Sequence, residues 1–215
     1  MAGYHDSFSD WCDRIAPRIQ KALQNRGFEA YYCKTAAEAR NQAIDLIPKD
    51  GSVSWGGSLT IREIGILDEV KARNYTVIDR DLATSPEERH EFMRQALLCN
   101  TYLTSVNAIS EDGEFVNVDG MGNRVAAITF GPKSVVAIVG MNKVCKTLED
   151  AYIRARNYAS PLNVVRLNLT TPCNITGSCS DCKSNDCACS YIVTTRMCNI
   201  PGRIKVILVG QSLGL

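Results

Sequence analysis

Six cysteines fall within 26 residues near the C-terminal end of the sequence: Cys173, Cys179, Cys182, Cys187, Cys189 and Cys198. Thiolates are soft ligands, and crowding of this kind around a C-x-x-C pair (Cys179 and Cys182) is how a chain gathers several of them on one metal or iron–sulfur centre. The other four cysteines, Cys12, Cys33, Cys99 and Cys145, are scattered singly through segments that read as ordinary helix or strand. A disulfide framework would spread its pairs across the fold. Residues Met1 to Pro17 also lack the apolar run and small-residue cleavage site of an export leader. The expectation is a reduced, cytoplasmic protein whose clustered cysteines serve metal binding or redox chemistry.

Two glycine loops offer a second chemistry. Gly56, Gly57 and Ser58 lie between the strand-like run Ser52 to Trp55 and a helix start at Thr60 to Glu63. Such a loop either lets backbone N–H groups approach a phosphate or carboxylate, or is a plain turn that needs positive φ. In the second loop, Asp119 to Arg124, a carboxylate, an amide (Asn123) and a guanidinium stand beside Gly120 and Gly122. Arg124 could clamp an anion bidentately there, or pair with Asp119 in a turn that satisfies its own backbone. Acid–base work would fall to the carboxylates near these loops, Glu63, Glu111 and Asp119. Lys143 follows a strand end and suits an anionic group, although a lysine in such a place commonly faces solvent. With only His5 and His90, neither inside a motif, the partners for serine–histidine catalysis are missing.

The elements that would position these groups alternate. Phe8, Trp11, Ile15, Ile19 and Leu23 recur at helical spacing and stop at Gly27; Phe28 to Cys33 is strand-like; Thr35 to Glu38 opens a helix that ends before Pro48. Tyr75 to Ile78 and Thr101 to Ser105 read as strands around a helix capped at Ser85 and reaching about Leu98, which argues for a mostly parallel sheet covered by helices. A hairpin follows, Ala108 to Ser110 with Phe115 to Val118. Val125 to Phe130 and Val135 to Val139 then read as strands, and Thr147 starts a helix reaching about Tyr158.

At 215 residues and 45% hydrophobic, the chain can build one well-buried domain. Its 24 basic and 23 acidic residues are well mixed, giving a formal net charge of +1 and no footprint for nucleic acid or an anionic membrane. The longest apolar runs, Val135 to Val139 and Val206 to Val209, are far shorter than the roughly 20 residues of a membrane span. No G-x-G-x-x-G fingerprint is present, so an electron acceptor would be another protein or a diffusible carrier.

Several motifs in order resemble the lactate-utilisation (LUD) domain family: Val53 to Ser58 with Glu63 to Gly65, Leu103 to Ile109, Asp119 to Val125, Gly131-Pro132, Gly140 to Lys143, and the closing Arg203 to Gly210 with Leu213-Gly214. The resemblance implies a three-layer α/β fold with a mostly parallel central sheet, like the ribose-phosphate isomerase and CoA-transferase group. It would span residues 1–215 as a single domain, with 171–200 a cysteine-rich metal-binding insertion before the last strand. Short members of the family look like T-P-C-x5-C-x-x-C-x6-C, which implies Cys173, Cys179, Cys182 and Cys189 as ligands. That leaves Cys187 and Cys198 as spare thiols, a redox-active sulfur or a replacement ligand. Four thiolates suit a [4Fe–4S] or [2Fe–2S] cluster, and equally tetrahedral zinc. In the resembled fold group a carboxylate at a strand end transfers the proton, which implies such a role for Glu111.

Two functions follow. One is an iron–sulfur protein assisting oxidation of a small organic acid by electron transfer, alongside other iron–sulfur subunits of an oxidoreductase complex. The other is an isomerase- or transferase-type enzyme acting on a phosphorylated, carboxylated or CoA-linked metabolite, with a structural metal.

Overall fold

A computed structural model describes residues 4–215. In chain order the elements are α1 (Tyr4–Asn25), β1 (Glu29–Cys33), α2 (Ala36–Asp45), β2 (Ser52–Trp55), α3 (Leu59–Glu63), α4 (Ile66–Ala72), β3 (Thr76–Ile78), α5 (Pro86–Gln95), β4 (Thr101–Thr104) and the hairpin β5 (Ala108–Ser110) and β6 (Phe115–Asp119). They continue with α6 (Asn123–Thr129), β7 (Ser134–Gly140), β8 (Val144–Cys145), α7 (Leu148–Arg154), α8 (Ser160–Leu167), α9 (Pro172–Thr176), β9 (Tyr191–Thr195) and β10 (Ile204–Val209).

Six strands form the central sheet in the order β1-β10-β7-β4-β2-β3, every neighbouring pair parallel. Parallel strands buried on both faces read as continuous apolar runs, which is how Val135 to Val139 and Val206 to Val209 appear in the sequence. The pleat divides them. Val135, Val139, Val206 and Leu208 join α1 (Ile19, Leu23) and α6 (Ala127, Ile128) in one core. Val136, Ile138, Ile207 and Val209 join α2 (Ala39, Ala43) and α4 (Ile66, Val70) in the other. The result is the three-layer mixed α/β arrangement, with no closed barrel. A second sheet, β8-β5-β6-β9, sits beside it.

Four local expectations need correction. Val125 to Phe130 is the helix α6, not a strand. Its β-branched residues misled, and side chains from elsewhere hold both its ends: Asp119 accepts from the N–H groups of Gly122, Arg124 and Val125, and buried Arg203 donates to the carbonyls of Ala127 and Ile128 at 2.9 and 2.8 Å. The helix opening at Thr147 does not stop near Tyr158. It passes through one π turn, Ala155 to Ala159, into α8, and Pro161 is tolerated in the first turn of α8. The cap of α3 is Ser58, which accepts from Ile61 N–H, while Thr60 lies buried inside the helix. Finally, the cysteine-rich segment contributes a strand that its composition hid: β9 pairs antiparallel with β6 over five residues.

Candidate functional site

Loops at the carboxyl ends of the parallel strands surround one cavity of about 480 Å³. Gly57 and Ser58 follow β2, Arg80 follows β3, Ser105 and Asn107 follow β4, and Lys143 follows β7. In open α/β sheets that end is where ligands bind, because every strand delivers its loop to the same crevice. Arg166 of α8 and Asp186, Cys187 and Ala188 of the cysteine segment complete the wall.

The lining is electropositive. Among the described residues Arg80 has a single carboxylate within reach, Asp81 at 4.0 Å, and Arg166 donates to the neutral amide of Asn163. Burial and the nearby charges of Arg62 and Arg80 hold the Arg166 guanidinium below its ordinary pKa. The two side-chain carboxylates on the wall are already engaged. Asp186 accepts from the N–H and hydroxyl of Thr170 at 2.7 and 3.1 Å, and Asp119 caps α6. Cations without matching carboxylates around a cleft attract a small anion.

Lys143 lines the cavity and is buried, not solvent-facing. It is 3% exposed, and its Nζ donates to Thr60 Oγ1 at 2.8 Å and Ser105 Oγ at 3.0 Å. No carboxylate lies within ion-pair distance of it among the described residues. Burial first, then the charges of Arg154 and Arg124, push its pKa down to about 7, with Glu63 opposing them.

Glu63 itself is not on the cavity wall; it accepts from Gly214 N–H at 2.6 Å. Glu111 faces a different cleft, paired with the exposed Arg18 and with Lys146. The three carboxylates are therefore not brought together. Arg124 lines the cavity, yet its guanidinium donates to Ser105 O, Asn117 Oδ1, Asn107 Oδ1 and Val118 O, tying β4 to the β5–β6 hairpin. That geometry is the turn reading, with Arg124 also 3.7 Å from Asp119. Neither Gly56 nor Gly57 has positive φ. What Gly57 provides is closeness: a Cβ there would come within 2.6 Å of the Arg80 guanidinium. Gly120, Gly122 and Asn123 stand at the start of α6, where Gly120 packs beneath the cysteine segment.

The cysteines separate into two groups. Cys198 is buried in the sheet core, its thiol directed at Ile200 O. Cys173, Cys179, Cys182, Cys187 and Cys189 line one small cavity of about 20 Å³ beneath α8, with Arg156 and Pro161. Cys187 and Cys189 stand 3.0 Å apart, sulfur to sulfur. Burial, then the neighbouring Cys187, pushes the Cys189 thiol up to about 12, whereas hydrogen bonding to Ser184 lowers that of Cys182.

The donor chemistry fits an anionic, sulfur-ligated group. The lining holds five thiols and no carboxylate, and Nε of Arg156 is buried there without a hydrogen-bond acceptor. Among the described residues no three His, Cys, Asp or Glu side chains stand in metal-ligating geometry. The void has room for one ion, and a cluster would require the thiols to part.

The two cavities share a wall, because Cys187 and Ala188 line both. Sequence reasoning missed Arg80, Arg89 and Arg166 altogether. Their only signal is position after strands or on a helix whose packing the sequence does not reveal.

The LUD domain family profile matches residues 16–209. The chain is also similar to the crystal structure of a DUF162 family protein from Deinococcus radiodurans. The two are 14% identical with a TM-score of 0.49, over 92% of this chain and 97% of that one. No curated protein matches the sequence. Among the described residues no helix is long and apolar enough to cross a membrane.

Proposed function

The chain belongs to the LUD domain family, associated with lactate utilisation, and from that premise we propose that it is an iron–sulfur-binding protein that assists oxidation of a small organic acid by electron transfer. The observation that carries this reading is the shared wall: a group held by the thiols and an anion held by Arg80 and Arg166 would be separated only by Cys187 and Ala188. Cys173, Cys179, Cys182 and Cys189 would hold the cluster, with Cys187 the fifth sulfur between the two sites. Arg156 Nε would donate to a cluster or cysteine sulfur, which satisfies a buried donor that otherwise has no acceptor. When bound, a [4Fe–4S] cluster supplies a one-electron carrier. Other iron–sulfur subunits of an oxidoreductase complex are the natural recipients, since the chain has no nicotinamide or flavin fingerprint.

The test is anaerobic purification with iron, zinc and sulfide analysis and EPR spectra before and after dithionite. A variant with the four ligand cysteines changed to serine is run beside it. Iron with acid-labile sulfide and a reducible spectrum, lost in the variant, is the expected result. Stoichiometric zinc, or no metal, overturns the reading.

A second reading draws on Lys143. A buried amine with a pKa near neutrality suits proton transfer. It favours an isomerase- or transferase-type enzyme on a phosphorylated, carboxylated or CoA-linked metabolite, the metal being structural.

A further inference from the structure

Lys143 Nζ lies within hydrogen-bond distance of two hydroxyls, Thr60 Oγ1 at 2.8 Å and Ser105 Oγ at 3.0 Å, and of no carboxylate among the described residues. Each hydroxyl oxygen can accept one N–H from Nζ. A neutral amine has two hydrogens and one lone pair. Two acceptors satisfy it fully and leave the lone pair for the cavity that Lys143 lines. An ammonium would carry a third N–H into a wall whose side-chain carboxylates, Asp119 and Asp186, are already bonded to other donors. Burial with two neutral partners and no counter-ion therefore favours a nucleophilic amine, and the direction of its pKa agrees. Arg80 and Arg166 on the same wall offer guanidinium groups for a carboxylate.

We propose that Lys143 attacks the carbonyl carbon of a small 2-oxo acid held in this cavity and forms an imine with it. Nζ forms a bond to the carbonyl carbon, and the carbonyl oxygen takes up both amine hydrogens and leaves as water. No electrons are exchanged with a third party. The inference deepens the proposed function, because a 2-oxo acid is the oxidation product of a 2-hydroxy acid. It does not depend on the cluster.

The experiment is reduction with borohydride in the presence of pyruvate, followed by tryptic peptide mapping. The expected result is a pyruvate-dependent mass gain of one reduced adduct on Lys143. It would be seen as a peptide spanning residues 134–146, because trypsin does not cut after the modified lysine. Lys143→Met, which removes the amine without burying a charge, is expected to lose that label while its melting temperature does not fall. Arg80→Gln is expected to lower labelling by pyruvate about tenfold, the loss of one charge-assisted hydrogen bond, and to leave labelling by acetaldehyde unchanged. Absence of adduct in the folded wild-type protein, or adduct spread over exposed lysines such as Lys34 and Lys146, overturns the inference. The same labelling in the four-cysteine variant separates it from the redox reading. Adduct at Lys143 in protein that holds no iron sustains this inference while the electron-transfer function fails.

Discussion

The two cavities meet at Cys187 and Ala188 but are built in opposite ways. The basic cavity of about 480 Å³ takes its residues from loops after β2, β3, β4 and β7, from α8 and from the cysteine segment. The thiol-lined cavity of about 20 Å³ takes its five sulfurs from residues 173–189 and closes them under α8. A site made from one short segment depends little on the rest of the fold for its donors. A site made from strand ends exists only when the sheet is assembled. The sheet-built half presents cations brought in from several elements, and the local half takes its thiols from one short segment.

Variants can break this contrast or sharpen it, and the largest effect is expected at the thiols. Changing Cys179 and Cys182 together to serine should abolish metal binding, read by metal analysis, while binding of pyruvate to the basic cavity, read by calorimetry, stays within about threefold of wild type. Loss of both would mean that the two cavities are one cooperative site.

The next effect is on stability and concerns Lys143. Its pKa is held at about 7 against an ordinary value of 10.5. Between those values the unfolded chain binds a proton that the folded chain does not, so folding is opposed most below pH 7, and the opposition fades as pH rises toward 10.5. Arg154 and Arg124 lower this pKa and Glu63 raises it, with burial the largest cause. Lys143→Met should therefore be more stable than wild type by about 2 kcal/mol near pH 7, after allowing for two hydroxyls left without a donor. The gap should close by about pH 10 in urea melts. A gap that is flat with pH would show that the amine is not held neutral.

Gly120→Ala probes the shared wall directly, because a Cβ there would lie 3.3 Å from Ala188 Cα and Cys187 O. A destabilisation of about 1 kcal/mol is expected, with both metal affinity and anion affinity reduced, unlike the cysteine variants. The smallest effect belongs to Glu111→Gln. This carboxylate pairs with exposed cations in a separate cleft, so the expected change is under about 1 kcal/mol in stability and none in either cavity. A loss of pyruvate binding or labelling in that variant would restore Glu111 to the site.

The same contrast explains how much was legible beforehand. The crowding of cysteines was legible, and Cys173, Cys179, Cys182, Cys187 and Cys189 line one small cavity because residues close in sequence stay close in space. The parallel sheet was legible from β-branched runs alternating with capped helices. Residues 125–130 were not, since the choice between strand and helix was made by Asp119 and Arg203 at the ends of α6. Arg80 and Arg166 carried no sequence signal, and Lys143, a candidate for an anionic group from its place after a strand, gave no sign that it would be buried.

The sequence by itself determined the alternation of strands and helices, the family, and the crowding of thiols. All of these depend on hydrophobic period, caps and spacing over a few residues. Only the tertiary structure decided which charged groups meet. Lys143 became a buried amine because β4, α3 and β7 bring Ser105, Thr60 and its own loop together, although Ser105 and Thr60 are 38 and 83 residues from Lys143 in the chain. Desolvation and hydrogen-bond partnership are properties of the assembled surroundings, and no local pattern encodes them.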